Sequence, residues 1–434
     1  VTATEGLAMG IGVQFYPVVD VQNNPRNPII NIRSFGEDPA KVSSLAIAYL
    51  KAVQANGMLA TAKHFPGHGD VDSDSHLVLP TLDVDRARLD SVELPPFRAS
   101  IDAGVAAVMS AHIYLPQLET EKDLPATLSK NVMTSLLRDE LKFKGLVFSD
   151  AMDMGGITTR YDEKEATVRA IEAGNDIVLF PPHVGIAFEA IRDAVASGRL
   201  TEARIDESVR RILAAKKQLG LERYKPADVN ALTSILGAKE HREIAKRIAE
   251  EAITLVRDEK KVLPLKPSPD LSVLHVALLD SRDGWREGPV GNVAAAEMLK
   301  RFPRTVNVRV DNLTSATEYE VIRKAADLVD AIVVNVFVRV GSYKGSIDLN
   351  PQQLSLLRAF AKSARPFVLV LHGSPFLLQS IPELPSYVLT YDTHNDAERV
   401  AIRAITGEIP FKGHLPVSLP GLHPRGHGIT TAEP

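Results

Sequence analysis

Three histidines, three aspartates and a lysine crowd into fourteen residues at Lys63–His76, KHFPGHGDVDSDSH. Asp74 and His76 stand two apart in D-S-H, close enough for the carboxylate to hold one imidazole nitrogen. Such a partner raises the basicity of the ring and leaves its other nitrogen free to move a proton. A metal site is the rival chemistry, since His and Asp suit zinc or manganese. The spacing H-x3-H-x7-H matches no compact metal motif, however. A merely polar, solvated loop is the third reading, and the density of ionisable groups weighs against it. Pro66, Gly67 and Gly69 break regular structure directly after an apolar run, so the segment is a loop at a strand end, where functional groups are commonly mounted. Lys63 and His64, nearest that strand, are expected to be held rigidly and to suit recognition of hydroxyls.

Two further segments carry candidates. In GLVFSDAMDMGGI (145–157) an apolar strand delivers Asp150 at its end, where a carboxylate can act as a nucleophile. Capping of the next helix is the ordinary alternative for Asp150, and Asp153 is the rival carboxylate. In NNPRNPIINIRSFGEDP (23–39) the Asn-Pro pairs and Gly36 make a loop. Arg33 could fix several oxygens in defined geometry or form an ion pair with Asp20, and the two roles are compatible. Asp38-Pro39 reads as a helix start with Pro at its first position.

The elements that must position these groups follow from the apolar pattern. Strands are expected at Gly12–Val19, Leu59–His64, Ala106–His112, Leu146–Asp150 and Asp176–Phe180. Helices are expected at Pro39–Asn56, Leu94–Ala103, Lys130–Leu141 and Glu163–Ala173, with one long helical tract over Ile186–Gly220. This alternation indicates a parallel α/β sheet or barrel. Four strands end in polar groups (Asp20, Lys63-His64, His112, Asp150), which a (β/α)₈ barrel would gather on one face. The loop-like Lys225–Leu236 opens a linker over residues 225–248, dividing a first domain (1–224) from a second (249–434). In the second, runs such as AIVVNVFV and FVLVLHG read as strands buried on both faces of an open three-layer sandwich.

The chain has 434 residues, enough for two domains, with 45% apolar and 24% charged residues. A net charge of −4 and a pI near 6.3 argue against a nucleic-acid partner. No apolar run is long enough to span a bilayer. Cysteine is absent, which removes disulfides, thiolate catalysis and Cys-based zinc sites and fits either a reducing or an oxidising compartment. The first residues, VTATEGLAMG, lack a Met and begin as if inside a helix, so a missing natural start and a lost export signal are both open.

The three motifs, in this order, resemble glycoside hydrolase family 3, and KHFPGHGDVDSDSH resembles its β-N-acetylglucosaminidase branch. EEAITLVRDEKKVLPL (250–265) and GHLPVSLPGLHPRGHG (413–428) resemble the entry and end of that family's second domain. The resemblance implies a TIM-type (β/α)₈ barrel followed by an α/β/α sandwich. It implies Asp150 as nucleophile, His76 as acid/base with Asp74 as its partner, and Lys63, His64, Arg33 and Asp20 as sugar-binding positions. It implies no cofactor and no metal. It implies a carbohydrate partner, of muropeptide or chitooligosaccharide type, in a bacterial, peptidoglycan-recycling setting. A β-glucosidase, an inactive fragment and phosphorolysis are the alternatives. Complete members carry about three more βα units at the front. The barrel is therefore expected to lack those units here, and another chain or segment to complete it.

Overall fold

Four of the expected apolar runs become parallel strands: β1 (Val13–Gln14), β2 (Leu59–Phe65), β3 (Ala107–Ser110) and β4 (Leu146–Phe148), hydrogen-bonded in that order. The computed structural model describes residues 1–223, 226–281 and 290–433. It divides into unit 1 (Val1–Ala238 with Ser342–Gly345) and unit 2 (Lys239–Gly341 with Ser346–Pro434).

In unit 1 each gap between strands holds a helix: Pro39–Ala55, Pro95–Asp102 and Asn131–Glu140, with Glu163–Ala173 after β4. The first shows how local sequence sets these elements. Asp38 caps it, accepting from Ala40 N (2.8 Å) and Lys41 N (3.2 Å), and Pro39 starts the first turn. Val42, Ala46, Leu50 and Val53 then form one buried stripe at helical spacing, packed in the core with Ala60 and Ala62 of β2.

Several expectations change. The first and last strands of unit 1 shrink: beyond Val13–Gln14 only the bridge Val18–Lys63 continues β1, and the Asp176–Phe180 run contributes only the bridge Phe148–Ile177. Pro17, which has no N–H, interrupts the first ladder. Among the described residues no pairing joins Ile177 back to β1, so the sheet is an open parallel array and not a closed ring. The tract Ile186–Gly220 is two helices, Val184–Ala196 and Glu202–Gln218, parted at Gly198 with φ +78°. Phe188 and Leu213 on these helices stay exposed. The loop-like linker contains a helix, Val229–Ile235, capped by Asp228, while Lys225 lies outside the described residues. No helix among the described residues is long and apolar enough to cross a membrane.

Unit 2 holds a six-stranded sheet of β5 (Thr254–Asp258), β6 (Ser272–Leu279), β7 (Arg304–Val310), β8 (Ala331–Val338), β9 (Phe367–Gly373) and β10 (Ser386–Leu389). Their order is β5-β10-β9-β8-β6-β7, parallel except for β5 against β10. Alternate residues of β8 feed two separate cores. Ile332, Val334 and Val336 meet helices 316–326 and 351–362, whereas Ala331 and Val333 meet helices 292–301 and 395–405. That is the expected three-layer arrangement, and it explains why the strand is apolar without alternation.

Candidate active site

The expected site residues lie in the segment after β1 (Asp20, Arg33), at the end of β2 and in the loop beyond it (Lys63, His64, Asp74, His76), and just after β4 (Asp150). Asp20 is buried and spends its carboxylate inward. It accepts from His64 N (3.1 Å), His64 Nδ1 (2.7 Å) and His68 N (2.7 Å). No ion pair forms between Asp20 and Arg33, contrary to one expectation. The Arg33 guanidinium donates to the Ile29 carbonyl (2.9 Å) and stands 3.4 Å from His64 Nε2. Burial, then the Lys63 and Arg33 charges, hold the His64 pKa far below the usual imidazole range. A neutral His64 donating from Nδ1 to Asp20 leaves Nε2 as an acceptor toward Arg33. Asp20, His64 and Arg33 therefore form one relay in which each polar group fixes the next.

Lys63 precedes this relay. Burial, aided by Arg33, lowers its pKa to about 8 against the opposing pull of Asp150 and Asp20. At neutral pH most of it is still an ammonium, a charged donor beside the Asp150 carboxylate. Burial would raise Asp150, but the His64 and His112 rings, the Ala151 N–H (2.8 Å) and Lys63 outweigh it, and its carboxyl lies below the ordinary range. An ionised, half-buried carboxylate at a strand end is the state a nucleophile needs. Asp153, in contrast, is exposed beyond the strand.

The loop from Gly67 to Val78 is pinned from two sides. Asn27 donates to the carbonyls of His68 (2.8 Å) and Gly69 (3.2 Å), and Asn24 to that of Asp70 (3.1 Å). Gly69 lies so close to Val21 that a Cβ would sit 1.8 Å from its carbonyl oxygen. His68 is buried and its Nε2 stands 3.0 Å from Ser75 Oγ. From the other side, the N–H groups of Gly155 and Gly156 donate to the carbonyls of His76 and Ser75, both at 2.9 Å. A Cβ on Gly155 would meet the Leu77 carbonyl oxygen at 2.3 Å. The D-S-H loop is thereby fastened to the segment that follows Asp150.

Within the loop, Asp74 Oδ1 accepts from His76 N (2.9 Å) and stands 2.7 Å from His76 Nδ1. Its Oδ2 accepts from Tyr343 N (2.8 Å). Burial would raise the Asp74 pKa, but the two His76 bonds and the Tyr343 N–H bring it below the ordinary value. Asp74 thus stays a carboxylate, and its contact with Nδ1 leaves His76 Nε2 outside the pair. Among the described residues no group of three or more His, Cys, Asp or Glu is arranged to hold a metal ion.

Sequence reasoning missed three contributors. His112 appeared only as a polar strand end. In the fold it is buried, with Nδ1 2.8 Å from Thr127 Oγ1 and Nε2 2.9 Å from the Ala151 carbonyl, so it braces the backbone beside Asp150. The Gly155-Gly156 pair was visible in the motif, yet nothing local revealed its partner loop. Tyr343 lies 269 residues from Asp74. Its only signal was the polar GSYKGS stretch after the buried strand β8.

An open parallel sheet with helices between its strands, and a carboxylate, a lysine and a carboxylate–histidine pair in the loops beyond its strand ends, define an α/β protein that carries groups suited to nucleophilic and acid–base chemistry. Residues 1–215 match the glycosyl hydrolase family 3 N-terminal domain. A β-N-acetylglucosaminidase/β-glucosidase of Cellulomonas fimi is 32% identical over 96% of this chain and 76% of its own length. The chain belongs to glycoside hydrolase family 3 and is a glycosidase. β-Hexosaminidase A of Pseudoalteromonas piscicida is 37% identical over 63% of this chain, which spans only 48% of that protein. Among solved structures, a family 3 β-N-acetylglucosaminidase from Paenibacillus sp. str. FPU-7 superposes with a TM-score of 0.88 at 33% identity. That match covers 96% of this chain and 78% of the other.

Proposed function

We propose that this glycosidase is a retaining exo-enzyme that releases terminal β-linked N-acetylglucosamine from muropeptide or chitooligosaccharide substrates. In the first step an Asp150 oxygen attacks the anomeric carbon as the bond to the leaving oxygen breaks. His76 Nε2 delivers its proton to that oxygen. In the second step water attacks the same carbon, His76 takes the water's proton, and Asp150 leaves as a carboxylate. Lys63, His64 and Arg33 bind sugar hydroxyls. Asp20, whose oxygens are taken up by His64 and His68, acts through them.

The observation that supports this most is the fastening of the D-S-H loop to Gly155 and Gly156, immediately after Asp150. It joins a proton carrier and a nucleophile from distant parts of the sequence. The likeness to the Cellulomonas and Paenibacillus β-N-acetylglucosaminidases supports the N-acetylglucosamine preference, and that to the Pseudoalteromonas β-hexosaminidase supports a hexosaminide. The Cellulomonas name also favours a second reading, activity on β-glucosides.

Trapping tests the assignment. A slowly turned-over fluorinated N-acetylglucosaminide should label Asp150 covalently, as read by peptide mass spectrometry. Asp150→Asn should lose at least about 10⁴-fold in kcat/KM. Labelling at Asp153 would overturn the choice of nucleophile. Faster cleavage of aryl glucosides than of aryl N-acetylglucosaminides would overturn the choice of sugar.

A further inference from the structure

Residues 342–345 group with unit 1, although Gly341 and Ser346 on either side group with unit 2. Their contacts fall on the D-S-H loop. The backbone N–H of Tyr343 donates to Asp74 Oδ2 at 2.8 Å. The Tyr343 ring meets the His76 ring edge-on, with centroids 5.1 Å apart and planes at 64°. Gly345, at φ +70°, approaches Leu77 so closely that a Cβ would lie 3.3 Å from its Cδ1. Tyr343 itself holds a left-handed backbone at φ +64°, a conformation that non-glycine residues keep only where their surroundings impose it. The residue is 56% exposed, so burial does not account for the placement.

We infer that Ser342–Gly345 is a positioning segment for the acid/base dyad, with Tyr343 acting through Asp74. The inference rests on the reading of His76 as acid/base. Asp74 has two oxygens and two tasks. Oδ1 must face His76 Nδ1 so that Nε2 carries the shuttled proton, and the carboxylate must stay charged although its side chain is almost wholly buried. A donor on Oδ2 serves both: it stops rotation of the carboxylate and it stabilises the anion. Without it, Asp74 keeps only the two bonds that its own D-S-H turn supplies.

Two variants separate backbone from ring. Tyr343→Gly keeps the N–H and accepts φ +64°, but removes the ring. Tyr343→Pro removes the N–H and cannot adopt that φ. Both are assayed on N-acetylglucosaminides with a good leaving group (4-nitrophenol) and a poor one (methanol or a second sugar). Thermal unfolding serves as a check on folding. A segment that sets the acid should matter in proportion to the protonation demanded. Tyr343→Pro should then lose about tenfold or more in kcat on the poor leaving group and several-fold less on the good one. Tyr343→Gly should lose less than Tyr343→Pro on both. Equal losses on the two leaving groups, or equal effects of the two variants, would overturn the inference. Failure of the underlying reading has a separate mark: His76→Ala would itself show no leaving-group dependence.

Discussion

The chain builds the same D-x-H turn twice. Asp74-Ser75-His76 and Asp392-Thr393-His394 both turn a histidine back onto an aspartate two residues earlier. Nδ1 stands 2.7 Å from Oδ1 in the first and 2.6 Å in the second, and the histidine N–H joins the same oxygen in both. The D-x-H turn is therefore a local product of sequence, the side-chain analogue of a backbone turn. Only the surroundings differ. The Asp74 and His76 side chains are 1% and 20% exposed, against 48% and 65% for Asp392 and His394. Asp74 has a second-oxygen donor in Tyr343 N, and its loop is bonded to the backbone after Asp150. The second triplet opens the helix Asn395–Ile405. A carboxylate–imidazole pair is common chemistry; in the proposed mechanism it is partial burial and attachment to the backbone after Asp150 that make the first pair useful.

This contrast can be broken by experiment. His76→Ala should lose roughly 10²–10⁴-fold in kcat/KM on poor leaving groups, whereas His394→Ala should stay within about twofold. Comparable losses would mean that the surroundings do not distinguish the two triplets.

A third setting sharpens the point. His275 and His372 are buried in the sheet of unit 2 without a carboxylate partner. Asn335 Nδ2 lies 2.9 Å from His275 Nε2, Asn335 Oδ1 lies 2.9 Å from His372 Nε2, and His275 Nδ1 lies 2.7 Å from Asn307 Oδ1. Burial lowers His275 to a pKa of about 4 and His372 to about 3. Both are thus neutral when folded, while the unfolded chain takes up protons below about 6.5. Their contribution is complete above pH 6.5 and is lost as pH falls toward 4. The loss at pH 4 is roughly 3 kcal/mol for each. The urea midpoint of unit 2 should drop more steeply over that range in the native chain than in His372→Gln. Parallel pH profiles would refute the assignment.

Two smaller effects complete the series. Asp74→Asn should cost about ten- to a hundredfold in kcat on poor leaving groups, since the amide neither stabilises an imidazolium nor fixes the tautomer as a carboxylate does. Asp392→Asn should leave kcat unaltered, and a matching loss would point to long-range coupling. In stability, His394→Ala should fall within about 0.5 kcal/mol of the native chain, as exposed substitutions usually do. A larger shift in Tm would assign the second triplet a structural duty.

What was legible in the sequence follows from range. D-S-H and the Asp38-Pro39 helix start could be read because donor and acceptor lie within three residues. Strands β8 and β9 of unit 2 could be read because they are buried on both faces. Asp20 was recognised as a polar strand end, but its commitment to His64 and His68 depends on contacts 44 and 48 residues away. The Tyr343 contact spans still more chain, and no periodicity encodes it. The overlong strand at Gly12–Val19 and the unbroken tract at Ile186–Gly220 share another cause. Apolar pattern outvoted single residues, Pro17 and Gly198, that end ladders and helices.

Gly69 and Gly155 set a limit on how this site can vary. Each is a point where two backbones touch, against Val21 in one case and Leu77 in the other. Neither bears a functional group, so a search for reactive side chains would pass over both. Yet a saturation library at either position, screened for turnover, should return glycine almost alone, while exposed neighbours such as Asp72 tolerate wide replacement. The histidine loop can be rewritten in many letters, but its seams admit one.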